Sequence, residues 1–370
     1  MTNRETLEFL FAKNLINIRR SKLFDSPPPS LPADLNFDRV EGMMLGLAVG
    51  DSLGNTSEGL PPASRHAQFG EVRDYLPNPH ADHRRLGLPS DDTQMAFWTL
   101  EQLLEDGRLL PENLGERFGR QRIFGIGTTV REFLANRRRG LEWYRCGPKS
   151  AGNGALMRIA PVLIPHLRKP DTELWVDTAL AAMLTHNDSA SISACLAMVS
   201  MLWQLLAMQE PPPPEWWLDS YVSVARELET GEAYRCRGGV HIGFNGPLWQ
   251  FVAQYVSEAY RQDLPTLTAC EGWYSGAYLL ETVPSVLYIL MKHGRSLEEA
   301  LVRAVNDTLD NDTVAAVVGA LAGALHGKSS IPHQWLARHS GRTGEQDDGR
   351  ILLILDRART RWASSDKTGR

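Results

Sequence analysis

Apolar residues recur at steps of three and four along most of this chain, which is the spacing that buries one face of an α-helix. The pattern is clearest in eight windows: 43–53, 95–104, 179–183, 192–208, 283–291, 297–305, 314–325 and 351–363. Alternating apolar and polar runs with hairpin signals, which are typical of β-strands, are almost absent from the sequence. The pattern therefore predicts a compact all-α fold.

The first 36 residues differ from the rest. Residues 6–18 have amphipathic helical spacing, with apolar side chains at Leu7, Leu10, Phe11, Leu15 and Ile18. Prolines at 27, 28, 29 and 32 follow, and proline-rich segments are extended and semi-rigid. We therefore predict an N-terminal extension with a Pro-rich linker (1–36), joined to one large domain (37–370).

Composition narrows the class of protein. The chain has 370 residues, 43% of them hydrophobic, which is ample for a large core. A net charge of −5 lacks the basic excess that neutralises phosphates, so no nucleic-acid partner is expected. The apolar run 314–325 is shorter than the roughly 20 residues of a membrane span, and no signal-peptide pattern opens the chain, so no membrane partner is expected. The four cysteines form no CxxC pair, which argues against a zinc site or disulfide framework and favours a cytoplasmic location.

Two acidic segments stand directly before apolar helices. The first, 90–93, reads Ser-Asp-Asp-Thr, and an ordinary N-cap with acids in the first turn explains it fully. The second, 310–313, reads Asp-Asn-Asp-Thr, and together with Asp307 it places three acids within six residues. Capping needs one acid, and carboxylates this dense repel one another unless a cation intervenes. Since Mg²⁺ and Mn²⁺ prefer oxygen ligands, two such helix ends could hold two metal ions across a cleft.

Three other patterns do not fit known sites. An EF-hand loop beginning at Asp310 would place Ala315 and Leu321 where glycine and glutamate are needed. The segment 323–329 is one residue shorter than a P-loop and ends a helix instead of opening one. The Gly-x-Gly at 125–127 lacks the third glycine of a dinucleotide site.

Together, the motifs resemble the ADP-ribosylglycohydrolase family over about residues 38–327. The resemblance is carried in chain order by segments 41–54 (EGMMLGLAVGDSLG), 58–59 (EG), 90–93 (SDDT), 125–129 (GIGTT), 152–158 (GNGALMR), 185–186 (TH), 281–282 (ET) and 306–313 (NDTLDNDT). It implies an all-α fold, a compact orthogonal bundle of many helices, with two Mg²⁺ or Mn²⁺ ions in a central cleft. It also implies hydrolysis of the N-glycosidic bond between ADP-ribose and a protein side chain, commonly arginine.

The resemblance also assigns roles to individual residues. The implied metal ligands are Ser90, Asp91, Asp92, Asp310, Asp312 and Thr313. The implied catalytic residues are Glu58, Asp92 and Asp310. The implied ADP-ribose-binding residues are Gly125, Gly127, Thr128, Asn153, Gly154, Arg158, His186 and Tyr278. Alternatives stay open for four of these: Glu58 as a solvated loop acid, Arg158 as a brace between helices, His186 as a capping or core histidine, and Tyr278 as a core aromatic residue.

Two positions depart from the family pattern. Ser90 stands where the family usually has threonine, and the hydroxyl is retained. Leu309 replaces a glycine just before the second acidic segment, where a side chain would crowd a tight backbone turn.

Three functions compete at this stage. The first is the hydrolase acting on an ADP-ribosylated protein. The second is an immunity protein whose residues 1–36 block a cognate ADP-ribosyltransferase toxin; alternatively, that segment packs on its own body or on a dimer mate. The third is a family member that binds ADP-ribose without cleaving it.

Overall fold

Helices form at each window that the apolar spacing marks, in a computed structural model that describes residues 1–363. The α-helices are α1 (Asn3–Ala12), α2 (Phe37–Asn55), α3 (Pro62–Phe69), α4 (Asp91–Asp106), α5 (Pro111–Arg120), α6 (Thr128–Arg138), α7 (Glu173–Met183), α8 (Ser189–Ala207), α9 (Pro214–Leu228), α10 (Leu248–Arg261), α11 (Thr266–Gly272), α12 (Leu279–His293), α13 (Leu297–Asp307), α14 (Asn311–His326), α15 (His333–Ala337) and α16 (Arg350–Trp362). Short 3-10 helices are Lys22–Asp25, Pro79–Ala81, Trp143–Arg145, Leu156–Arg158, Ala160–His166 and Lys328–Ser330. Strands β1 (Tyr234–Arg235) and β2 (Asn245–Gly246) form a small antiparallel pair in which Tyr234 lies opposite Gly246. The predicted all-α class is confirmed.

The centre of the fold is the contact between α2 and α14. Glycines recur on α2 at every fourth position and face α14 along its length: Gly42, Gly46, Gly50 and Gly54. A Cβ atom on Gly46 would lie only 2.2 Å from the backbone oxygen of Gly319, so the two backbones touch directly. At the end of α2, a Cβ on Gly54 would lie 2.5 Å from the Cα of Asp312. The sequence thereby places the C-terminal end of α2 against the N-terminal end of α14.

The longest apolar helix is α8, and not the run 314–325 that the sequence singled out. By length and composition α8 could cross a membrane, but 83% of its apolar window is buried inside the protein. It serves as a core helix between α7 and α9, and its side chains from Ile192 to Val199 are fully or almost fully buried.

The N-terminal segment packs on the body. Helix α1 is capped by Thr2 and ends at Ala12, earlier than the spacing over 6–18 predicts. Its apolar face is fully buried at Leu7 and Leu10. On its polar side, Arg4 Nε donates to Glu173 Oε1 at 2.8 Å, and that glutamate begins α7.

The proline-rich part of this segment is also held to the body. Trp175 Nε1 donates to the backbone oxygen of Ser26 at 2.9 Å, and Trp203 Nε1 donates to that of Pro29 at 2.8 Å. Of the arrangements considered for residues 1–36, packing on the chain's own body is therefore what the structure shows. A domain boundary between residues 36 and 37 stays a prediction, and residues 364–370 of the predicted domain lie outside the described part.

Candidate active site

Carboxylates from three parts of the chain meet where α2, α4 and α14 converge. Oxygens of Asp51, Asp92 and Asp312 lie within 4.8 Å of one another. Oxygens of Glu58, Asp310 and Asp312 also lie within 4.8 Å of one another, so Asp312 joins the two groups. We call these five residues, together with Asp91, the acid cluster.

Burial and mutual repulsion disfavour the charged form of these acids. Burial raises the pKa of Asp91 to about 8 and that of Asp310 to about 6. Burial and the neighbouring carboxylates raise the pKa of Asp92 and of Asp312 well above the ordinary value. The Oδ1 atom of Asp92 is buried and has no hydrogen-bond partner among residues 1–363. A divalent cation would satisfy this oxygen and offset the repulsion, so the cluster could hold a metal ion.

Two residues, Ser90 and Asp51, cap the start of α4, so the acids of its first turn are not needed as caps. Ser90 is the N-cap, as the sequence predicts, and its hydroxyl also donates to Asp92 Oδ2 at 2.9 Å. The carboxylate of Asp51 accepts hydrogen bonds from the backbone N–H groups of Ser90 and Thr93. Because Asp51 supplies the capping carboxylate, Asp91 and Asp92 are not needed for it.

The second acidic segment is held by a strained turn. Asp310 precedes α14 but makes no capping bond, and its Oδ2 accepts from Asn153 Nδ2 at 2.6 Å instead. Its backbone N–H donates to the Ser275 oxygen at 3.0 Å, and the Leu309 N–H donates to Ser275 Oγ at 3.1 Å. The left-handed φ values lie at Tyr274 (74°) and Ser275 (42°), and not at Leu309. The crowding expected from Leu309 is therefore absent, because that residue keeps an ordinary conformation.

Asp307 does not belong to the acid cluster. It ends α13, and its Oδ2 lies 3.7 Å from Arg303 Nη1 one turn earlier. The third acid of the sequence pattern is therefore an ion-paired helix residue.

A cleft of about 300 Å³ opens over the acid cluster. Thirteen of the fifteen site residues predicted from the sequence line it: Glu58, Asp91, Asp92, Gly125, Gly127, Thr128, Asn153, Gly154, His186, Tyr278, Asp310, Asp312 and Thr313. The two exceptions are Ser90, which lines an adjoining cavity, and Arg158. The structure thus gathers segments up to 255 residues apart in the sequence around one cleft.

Arg158 braces helices and does not reach the cleft. It is fully buried, and its Nη2 atom donates to the Ala181 oxygen at 2.9 Å and to Thr185 Oγ1 at 2.7 Å. Its guanidinium lies 4.9 Å from the centre of the Phe118 ring. Of the two roles considered for Arg158, its burial and contacts favour the brace between helices over the phosphate contact.

His186 forms part of the cleft wall as a neutral ring. Burial and the nearby Arg158 charge lower the pKa of His186 to about 3. Its Nδ1 lies 2.9 Å from Thr185 Oγ1, and its ring lies so close to Gly154 that a Cβ there would be 3.0 Å from Cε1. A neutral histidine held flat against the 152–154 loop shapes the wall and carries no charge into it.

Comparison with known proteins assigns the fold and site to one group. A family model described as ADP-ribosylglycohydrolase matches residues 32–363. The chain belongs to the ADP-ribosylglycohydrolase family. The resemblance predicted from the motifs is confirmed, and membership supports an ADP-ribosyl hydrolase activity.

Similar proteins extend over most of this ADP-ribosylglycohydrolase. It is 28% identical over 324 residues to the ADP-ribosylarginine hydrolase Tri1 of Serratia proteamaculans, covering 84% of this chain and 78% of that protein. It is 29% identical over 308 residues to the ADP-ribosyl-[dinitrogen reductase] glycohydrolase of Rhodospirillum rubrum, covering 81% of this chain and 90% of that protein. A solved structure described as an ADP-ribosylglycohydrolase-related protein complex matches with a TM-score of 0.65 at 28% identity, covering 88% of this chain and 98% of that one.

The site of this ADP-ribosylglycohydrolase includes two residues that the sequence reasoning did not assign. Asp51 lay within the glycine-rich motif at 41–54 but received no role. Arg237 also lines the cleft: it binds both oxygens of buried Glu281, at 2.9 and 2.6 Å, and lies 5.0 Å from the centre of the Tyr278 ring. The sequence feature that could have pointed to Arg237 is Glu281, because a buried carboxylate in a motif needs a cation or a hydrogen-bond donor as its partner.

Proposed function

We propose that this chain hydrolyses the N-glycosidic bond between ADP-ribose and a protein arginine side chain, using two divalent cations, Mg²⁺ or Mn²⁺. The observation that carries the proposal is that the acid cluster lines the same cleft as the glycines of the segments 125–129 and 152–154. The arginine linkage is supported by the name of the Tri1 relative, an ADP-ribosylarginine hydrolase.

The acid cluster has the oxygen donors for two cations. Its two groups of three carboxylates share Asp312, and a shared carboxylate is the usual bridge where two metal ions lie close together. The hydroxyls of Ser90 and Thr313 flank the acids and would complete the donor set. Two cations bound here would polarise the ribose hydroxyls and a water molecule beside the scissile bond.

The cleft wall suits the pyrophosphate of ADP-ribose. Helix α6 begins after Gly127, which makes no side-chain capping bond, so its first N–H groups are free to donate. Gly125 has a left-handed φ of 62°, and it lies directly on the cleft. Free N–H groups at a helix N-terminus attract anions through the helix dipole, and glycine lets a phosphate approach the backbone.

Glu58 is the residue that moves a proton in the proposed reaction. In the reaction, water adds to C1 of the ribose, the C–N bond to the guanidine breaks, and the departing nitrogen takes up a proton. Burial raises the pKa of Glu58, which is the direction that lets a carboxyl group hold and release a proton near neutral pH. Its carboxylate also lies beside Asp310 and Asp312, at the end of the cleft where the ribose would sit.

The proposal is tested by measuring release of ADP-ribose from ADP-ribosyl-arginine, ADP-ribosyl-serine and an ester of ADP-ribose. We expect cleavage of the arginine compound, loss of activity in chelator, and recovery with Mg²⁺ or Mn²⁺. Asp310→Ala should lower the rate by at least a hundredfold, because it removes a ligand and a charge from the reacting end of the cleft. Asp177→Asn, a buried acid beside α1, is the matched control and should keep its rate. Cleavage of serine alone would refute the arginine linkage, and full activity in chelator would refute the metal site.

A blocking role for residues 1–36 against an ADP-ribosyltransferase toxin lacks comparable support. The apolar side chains that the segment would present to a partner, Leu7, Leu10 and Phe24, are fully buried on the body. A partner would have to displace them first. A non-catalytic ADP-ribose binder is disfavoured because the full set of acids is retained and gathered at one point.

A further inference from the structure

A second cavity adjoins the cleft at the acid cluster. Its volume is about 570 Å³, and it shares Glu58 and Gly125 with the cleft. Its other walls include Asn55, Phe124 and Arg342. The two cavities therefore meet where Glu58 stands.

Arg342 is a cation without a partner in this cavity. Its guanidinium lies 5.0 Å from the centre of the Phe124 ring, in a cation–π stack. Its Nε atom is buried and makes no hydrogen bond, and within residues 1–363 the side chain has no ion pair either. Arg122 on the same wall, in contrast, pairs with Glu345 at 3.1 Å. An Arg fork with open donors and a fixed plane is suited to a carboxylate.

A side chain of α4 holds the stack of Arg342 on Phe124 in place. Gln94 is fully buried one turn after the start of that helix, and its Oε1 accepts from the backbone N–H of Phe124 at 2.9 Å. Its Nε2 donates to the backbone oxygen of Thr343 at 2.8 Å, next to Arg342. One side chain thus ties the loop of Phe124 to the loop of Arg342, on the helix that also carries Asp91 and Asp92. The position of the cation is therefore set relative to the acid cluster.

A loop with two arginines lies beside the second cavity. The loop 77–85 contributes His80 to the wall and carries Arg84 and Arg85. These two arginines donate to backbone oxygens of Ala81 and Tyr75, and neither has a carboxylate partner within the described chain. Two acids also line this cavity: Glu345 pairs with Arg122, and Glu58 belongs to the acid cluster. Among the described residues, Arg342 is therefore the lining arginine that has no carboxylate partner.

The position of the second cavity indicates what occupies it. If ADP-ribose fills the cleft, its scissile bond lies at the acid cluster, beside Glu58. The modified side chain and its neighbouring residues then continue beyond Glu58, into the second cavity. We propose that this cavity receives the modified segment of the target protein, and that Arg342 pairs with an acidic residue next to the modified arginine. This inference rests on the proposed function.

The test compares three substrates: free ADP-ribosyl-arginine, and two peptides with one ADP-ribosyl-arginine flanked either by acidic or by neutral residues. We expect the wild type to cleave the acidic peptide with a kcat/KM about fivefold higher than that of the neutral one, as for one partly exposed ion pair. Arg342→Gln should abolish this preference, while its rate on free ADP-ribosyl-arginine stays at the wild-type level. Arg342→Lys keeps the charge and should retain part of the preference. Arg120→Gln, which removes an exposed arginine of α5 paired with Glu116, is the matched control and should leave the preference intact.

The outcomes separate the two proposals. If the wild type cleaves all three substrates and Arg342→Gln keeps the preference, or if no preference exists, the pairing is refuted and the hydrolase stands. If the wild type releases ADP-ribose from none of them, the proposed function itself is wrong and the pairing falls with it. Retained activity of Arg342→Gln on the free compound shows that the variant is folded, so a lost preference cannot come from misfolding.

Discussion

Neutralising one acid of the cluster should stabilise the protein when no metal is bound, although the same change should destroy metal binding. Asp312→Asn is the sharpest form of this test, because Asp312 belongs to both groups of carboxylates. The substitution is isosteric, and an asparagine oxygen can still accept the hydrogen bond that Asp312 Oδ1 receives from the Thr313 N–H at 2.9 Å. The change therefore removes charge and little else.

The magnitude follows from the spacing of the charges. Two unit charges 4.8 Å apart repel by about 3.5 kcal/mol at an effective dielectric constant of about 20. The raised pKa of Asp312 means that part of this repulsion is already relieved by proton uptake, so we expect a gain of about 2–3 kcal/mol. In a chain of this size, that corresponds to a rise in Tm of about 3–4 °C.

The assay is thermal unfolding in chelator and in excess Mg²⁺ or Mn²⁺. In chelator, Asp312→Asn should melt above the wild type; with metal, the wild type should rise by several degrees and the variant should not. The control is Asp177→Asn, since Asp177 Oδ2 lies 3.2 Å from His166 Nε2 and the change replaces this carboxylate oxygen by an amide group. It should lower Tm and leave the metal response intact. The reasoning is wrong if Asp312→Asn melts below the wild type in chelator, or if metal stabilises both equally.

Three further outcomes are expected. Burial raises the pKa of Asp310 to about 6 and that of Asp91 to about 8, so the metal-free fold loses stability as these acids ionise. The contribution of Asp310, about 3 kcal/mol, is lost as pH rises from about 4 to about 6, and that of Asp91 is lost up to about pH 8; urea unfolding in chelator at pH 5, 6.5 and 8 should show the decline. Gly46→Ala should cost about 3 kcal/mol in urea unfolding, since its Cβ would lie 2.2 Å from the backbone of α14, whereas Gly243→Ala, with nothing within 4 Å, should be nearly neutral. Asn187→Ala removes two hydrogen bonds that tie the N-terminal segment to the cleft wall, so we expect a loss of about 1–2 kcal/mol and a raised KM; an unchanged KM would show that this segment does not support the cleft.

The sequence predicted the parts of this protein that depend on local spacing. The helix windows were visible because each buried face repeats every three or four residues. Ser90 was identifiable as an N-cap because capping depends on the residue type at one position and on the helix that follows. The second acidic segment was recognisable because three carboxylates within six residues exceed what a cap needs, although one of them, Asp307, pairs with Arg303 instead. The first segment was singled out by the family resemblance, since capping alone explained it.

The remaining features depend on partners that lie far apart in the chain. Glu281 is held by Arg237, which lies 44 residues away on an irregular hairpin, and no periodicity connects the two. Asp51 caps α4 from α2, 39 residues before Ser90, so its role appears only after the helices have packed. Arg158 fits a phosphate-binding pattern by residue type alone. Tertiary packing buries its side chain in the core, where it donates hydrogen bonds to α7 and to Thr185 just beyond that helix.

The contact between α2 and α14 links the fold to the acid cluster. The glycines of α2 allow the two backbones to touch along their whole length, and the last of them, Gly54, meets Asp312 itself. A side chain at this position would push the N-terminal end of α14 away and separate Asp312 from Asp51. The close approach that makes the helix pair compact therefore also forces the carboxylates together, against their own repulsion. The carboxylates that would bind metal lower the stability of the metal-free protein at this end of the helix pair. Neutralising Asp312 is therefore expected to raise that stability and to abolish metal binding.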